Sequence, residues 1–120
     1  MSLTLALNYG GRAEIVRATR RIGSLISRGK ISETEIDENL FSSNLDASNI
    51  PDPDLIIRTA GERRLSNFLL WQSAYSELYF SEHPWPDFTV EDLKIALSDY
   101  NSRTRKFGSL DKTQPLKRRI

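Results

Sequence analysis

Cysteine is absent from the 120 residues, which excludes a disulfide framework and a thiolate metal site. Cytoplasmic residence is the simplest expectation for such a chain. Histidine occurs once, at His83, with no second ligand nearby, and is read as structural or solvated. No apolar run approaches the ~18 residues of a membrane span, and no signal-peptide pattern opens the sequence. Internal repeats and low-complexity linkers are missing too. What remains, 38% hydrophobic and 28% charged, suits one globular domain with a modest core.

The net charge of +1 hides a segregation. Residues 31–57 carry Glu33, Glu35, Asp37, Glu38, Asp46, Asp52 and Asp54 and no base. Residues 101–120 carry Arg103, Arg105, Lys106, Lys112, Lys117, Arg118 and Arg119 against Asp111. A basic tail favours nucleic acid, anionic lipid or diphosphate. For Leu116 to Ile120 the stronger reading is a solvated terminus.

In chain order, SLTLALN (2–8) alternates with Leu3, Leu5 and Leu7 on one face and predicts a strand. Gly10-Gly11 breaks it, and a helix is predicted from about Arg12 to Arg28. Its stripe is Ile15, Ala18, Ile22 and Leu25, with Glu14, Arg17, Arg21, Ser24 and Arg28 opposite. Ser32-x-x-Glu35 reads as a capping box for an acidic helix reaching about Phe41, with Ile36 and Leu40 inward. A loop follows, then a second strand at 55–59, apolar enough to be buried on both faces. Ser66 to Ser73 reads as a short buried helix and Glu77 to Phe80 as a third strand. After a rigid turn at 83–88, Thr89 caps a helix with Val90, Leu93, Leu97 and Tyr100 inward. These elements predict an α/β fold, a partial and mostly parallel sheet of about three strands flanked by helices.

The chemistry concentrates in PDLIIRTAGERRLSNFLLWQSAYSELYF, residues 53–80. A β-rich run feeds a glycine-bearing loop with Arg58, Arg63 and Arg64, a pattern that suits an anion site at a strand's carboxyl end. Arginine adds a planar two-point contact to phosphate that lysine lacks. Ser66-Asn67, at the start of the apolar block, would turn a hydroxyl and free N–H groups toward the same space. Glu77 interrupts AYSELYF and needs a cation, a metal or water if it is buried. The plain alternatives are a solvated arginine turn and a glutamate pointing outward.

IRTAGERRLSNFLLWQSAYSELYF, WPDF at 85–88 and NYGGR at 8–12 together resemble the cis-prenyltransferase, or undecaprenyl diphosphate synthase, family. The resemblance runs from about Leu3 to Gly108. Residues 1–108 therefore read as the carboxyl-terminal half of a catalytic domain, and 109–120 as a basic tail. Members condense isopentenyl diphosphate onto an allylic diphosphate with Mg²⁺, forming cis double bonds. The resemblance implies that Arg58, Arg64 and Ser66 hold the diphosphate of isopentenyl diphosphate. It assigns Glu62 to the catalytic set as a support for the arginine loop, and Glu77 to magnesium. It also implies homodimers, no nucleic acid, and peripheral membrane association through a lipid product.

Three departures shape the functional expectation. The aspartate-containing loop of the type MDGNGRWA that binds the allylic diphosphate and magnesium has no counterpart here. The segments that follow it in the family, with a catalytic Asn and much of the product tunnel, are absent too. Lys106-Phe107-Gly108 stands where the family carries Arg-x-Gly, keeping the charge and losing the fork. The expected function is the isopentenyl-diphosphate side of undecaprenyl diphosphate synthesis, inactive in this chain alone. A non-catalytic dimerising subunit is the alternative, and a basic-tailed polyanion-binding module a weaker third. Trp71, Tyr75, Tyr79 and Phe80, without basic neighbours, count against that third reading.

Overall fold

The computed structural model describes residues 2–103. The basic tail at 109–120, its boundary at 108, and Lys106-Phe107-Gly108 lie outside the described residues. Helix α1 spans Gly11–Ser27, α2 Glu38–Ser43 and α3 Val90–Ser102. Strands β1, Leu55–Arg58, and β2, Glu77–Phe80, pair in parallel with Leu55 opposite Glu77 and Arg58 opposite Phe80. Among the described residues the sheet is α/β in character, as expected, with two strands rather than three.

The missing strand is the one predicted at 2–8. Leu3, Leu5 and Leu7 are 83%, 73% and 83% exposed, and no ladder forms along them. Alternation marks one face of a strand, but a strand also needs a neighbour for its N–H and C=O groups. Among the described residues none is offered. β1 is correspondingly half-buried along its length instead of covered on both faces.

Helix α1 follows its apolar periodicity through Ala18 and Ile22, both buried, with one exception. Glu14, assigned to the outer face, is completely buried. Positions 14, 18 and 22 lie four apart, so Glu14 falls on the stripe of Ala18 and Ile22. Its carboxylate accepts the Tyr9 hydroxyl, the Asp46 main-chain N–H at 2.9 Å and Gln72 Nε2 at 3.2 Å to each oxygen. Arg17 and Arg21 hold the Asp46 side chain from the outside of α1.

The acidic helix is split. Ser32 N donates to Glu35 Oε2 at 2.7 Å, but the box closes only a 3-10 turn, Glu33–Glu35. Ile36 then turns extended, 43% exposed rather than inward, and Asp37 starts α2 afresh by accepting from Leu40 N at 2.7 Å. Thr89 caps α3 as predicted, with Thr89 N donating to Asp92 Oδ2 at 2.7 Å. His83 bonds Asp92 at 2.9 Å, a structural role at the same cap. The inward face of α3 is carried by buried Ala96, whereas Val90, Leu93 and Leu97 are 68%, 40% and 44% exposed.

No helix forms over 66–73. Ser66, Asn67 and Leu69 have φ of 48°, 65° and 46°, a left-handed geometry that ends any right-handed turn. The segment runs as successive turns from Leu65 to Tyr75, pinned by Gln72 to Glu14 and by Trp71 Nε1 to Ser42 Oγ at 2.9 Å.

Burial raises the Tyr9 phenol above its ordinary value of 10.0, and the Glu14 carboxylate that accepts its proton raises it further. A folded-state value above the unfolded one means stability that is intact below about pH 10 and is lost as pH climbs beyond it. Urea unfolding at several pH values from 8 to 11 should therefore show the stability gap between wild type and Tyr9→Phe shrinking above pH 10. A gap that stays constant across the series would contradict this role for Tyr9.

Candidate anion-binding site

Arg58 is the last residue of β1, so its side chain stands at the carboxyl end of the parallel pair. The chain then turns through Ala60 and Gly61, with φ of 64° and 66°. The turn is fastened to the extension of β2 by Ala60 N to His83 O and Gly61 N to Ser81 O, both 2.8 Å, and by Ser81 N to Arg58 O at 2.8 Å. Gly61 suits this left-handed backbone; a side chain here would meet only the end of the exposed Glu82 side chain, which is free to move. The loop beyond it is rigidly referenced to the strand ends.

Glu62 emerges from that turn between two guanidinium groups. Arg58 Nη2 donates to Glu62 Oε2, and Arg64 Nη2 donates to Glu62 Oε1. The Arg58 hydrogen bond, reinforced by the Arg64 charge, holds the Glu62 carboxyl below the usual range, so it remains ionised. Arg58 Nη2 also stands 3.5 Å from Ser66 Oγ. Arg58 Nε is buried with no hydrogen-bond partner. Arg63 points elsewhere, toward Glu82 at 3.9 Å, and is largely exposed.

Below the two arginines lies a cavity of about 270 Å³, lined by Ile56, Ile57, Leu65, Phe68, Leu78 and Phe80 together with Arg58 and Arg64. Two guanidinium groups, one carboxylate and a hydroxyl over an apolar floor suit an anionic head joined to a small apolar body. Arg58, Glu62, Arg64 and Ser66 are thus brought together. The free N–H groups of a helix beginning at Ser66 are not part of the site, because that helix does not form.

Glu77 lies elsewhere. It begins β2 opposite Leu55, at the other end of the strand pair from Arg58, three residues or roughly 10 Å along the sheet. Its Oε2 accepts from Arg103 Nη1 at 2.7 Å, and the same guanidinium donates to Leu78 O at 3.0 Å and to Asp99. Arg103 is thus a cationic partner of the kind this acid was expected to need. Among the described residues no three His, Asp or Glu side chains gather as a metal site. The donors present do not make a magnesium site by themselves.

Sequence reasoning singled out Asn67 without its part at the start of α1, and it missed the roles of Arg103 and Glu14. Asn67 accepts Gly11 N at 2.7 Å with its main-chain oxygen and Arg12 N at 2.8 Å with Oδ1. Arg103 was visible only as one of the tail's bases. The 14–18–22 spacing would have found the buried Glu14.

The family model for undecaprenyl diphosphate synthase matches residues 1–108. An isoprenyl transferase of Clostridium perfringens is 55% identical over 108 residues, covering 90% of this chain and 43% of that protein. A tritrans,polycis-undecaprenyl-diphosphate synthase (geranylgeranyl-diphosphate specific) of Thermoplasma volcanium is 55% identical over 106 residues, 88% of this chain and 41% of that one. The crystal structure of lavandulyl diphosphate synthase from Lavandula x intermedia, in complex with dimethylallyl diphosphate, superposes with a TM-score of 0.83 at 46% identity. That match covers 87% of this chain and 45% of the other. A probable undecaprenyl diphosphate synthase from Campylobacter jejuni gives 0.71 at 41% identity, over 87% of this chain and 46% of the other. The chain thus spans less than half the length of the relatives it matches. With the match running unbroken through the arginine turn and both strands, the chain belongs to the undecaprenyl diphosphate synthase family of cis-prenyltransferases.

Proposed function

We propose that this chain supplies the isopentenyl-diphosphate side of a cis-prenyl transfer site. In that reaction a new carbon–carbon bond joins isopentenyl diphosphate to the allylic carbon. The allylic diphosphate departs, and a proton is lost from the isopentenyl unit. The observation that carries the reading is the Arg58–Glu62–Arg64 bracket with Ser66 at the end of β1, set over a small apolar cavity. Arg58 and Arg64 hold the diphosphate, Ser66 adds a hydroxyl, and the apolar floor takes the five-carbon body. Glu62 keeps the two cations side by side, where they would otherwise repel one another. These are positioning tasks: they present the isopentenyl double bond in one orientation.

Magnesium belongs to this reading as a requirement of the whole reaction, and Glu77 as a carboxylate toward it. The 120-residue polypeptide does not assemble the remaining donors among its described residues, so no step is assigned to the metal here. The polypeptide alone is accordingly inactive, and undecaprenyl diphosphate is the product expected of the complete site. Its assembly is proposed to be a homodimer, with aromatic residues of the 68–80 block in the contact; Phe68 and Tyr75 are exposed.

Three measurements test this. Calorimetry with isopentenyl diphosphate should give weak binding that falls roughly ten- to a hundredfold in Arg64→Ala; equal affinities would remove Arg64 from the site. Mixing the purified chain with farnesyl and isopentenyl diphosphates and Mg²⁺ should give no product, and synthase-like turnover would refute its inactivity. Light scattering at micromolar concentration should report at least a dimer, against which a stable 13.7 kDa monomer would count.

A further inference from the structure

Two stretches far apart in sequence, 8–12 and 66–70, meet at the amino end of α1. Gly11 N and Arg12 N, two of the N–H groups that a helix leaves unsatisfied at its start, are both taken by Asn67. One is taken by the Asn67 main-chain oxygen and one by its Oδ1. Asn67 and its neighbour Ser66 are consecutive left-handed residues, a costly geometry that persists only where surrounding bonds hold it. Asparagine is among the side chains that tolerate it. The two glycines make the approach feasible. A Cβ on Gly11 would stand 2.8 Å from Leu70 Cγ and 3.1 Å from Asn67 O, and one on Gly10 would stand 3.0 Å from Asn67 Nδ2. These glycines thus serve a close approach between the loop and the helix.

We infer that Asn67 is a positioning residue: by capping α1 it holds Ser66 in the left-handed backbone that sets Ser66 Oγ beside Arg58. Gly10 and Gly11 are the other half of the device, because they let the loop reach the helix. The inference rests on the anion-binding reading above and extends it to residues that touch no ligand.

The test uses the full chain and inorganic diphosphate, titrated by calorimetry into wild type, Asn67→Gly, Gly11→Ala and Gly23→Ala, with the melting temperature of each. Glycine keeps the left-handed backbone and removes the side-chain acceptor. Asn67→Gly should therefore weaken diphosphate roughly three- to tenfold with a melting temperature near wild type. Its Arg12 amide should also exchange faster. Gly11→Ala should weaken diphosphate as well, although alanine is otherwise the better helix residue. A Cβ on Gly23, in the same helix, would have nothing within 4 Å, so Gly23→Ala should leave affinity unchanged. Wild-type affinity in both Asn67→Gly and Gly11→Ala overturns the positioning role and leaves the anion site standing. No diphosphate binding by the wild type overturns both.

Discussion

The interaction on which most of the described structure depends is the burial of the Glu14 carboxylate. An ionisable group removed from water is costly unless its oxygens find donors, and Glu14 finds them on three separate segments. Tyr9 precedes α1, Asp46 follows α2, and Gln72 sits in the turns between the strands. Few side chains are fully buried, so apolar packing alone fixes these segments loosely. A satisfied polar hub fixes them in direction as well as distance. Arg17 and Arg21 reinforce it from outside by holding the Asp46 side chain, whose carboxyl they keep below the usual range.

The candidate site inherits its geometry from this arrangement. Gln72 anchors the far end of the turns that begin at Ser66, and the strand pair anchors Arg58 at the near end. Between these two fixed points the turns adopt backbone angles that local preference disfavours. Tertiary hydrogen bonds outweigh intrinsic propensity over a segment this short.

That contest also explains what could be read in the sequence. Helices α1 and α3 were legible because periodicity and the Thr89 cap point the same way. β1 and β2 were legible from β-rich runs bounded by turn residues. The strand at 2–8 and the helix at 66–73 failed for one reason, since each local pattern was sound and the deciding partner lay elsewhere in the chain. Alternating leucines cannot make a strand without a neighbour, and Ser66-Asn67 cannot start a helix while bonded to α1. At the site, Arg58, Glu62, Arg64 and Ser66 were legible because they crowd nine consecutive positions after a strand. The 14–18–22 spacing could have revealed the burial of Glu14, but the partners of Glu14 and Asn67 were not legible, because contacts with distant segments carry no local signature.

The two ends of the strand pair show why one of them suits an anion. At the carboxyl end two guanidinium groups share one carboxylate, Arg58 and Arg64 with Glu62, leaving a surplus positive charge and a buried N–H without a partner. At the amino end, among the described residues, one guanidinium serves two carboxylates, Arg103 with Glu77 and Asp99, a surplus of negative charge. Both clusters are partly exposed, so each ion pair taken singly contributes little to stability. The stoichiometry matters more than the pair energies. A diphosphate approaching the first cluster would meet a net attraction, whereas at the second it would meet two carboxylates and a guanidinium already committed to three acceptors. Four residues of parallel strand are enough to separate these two environments, and the direction of the strands decides which one faces the arginine turn.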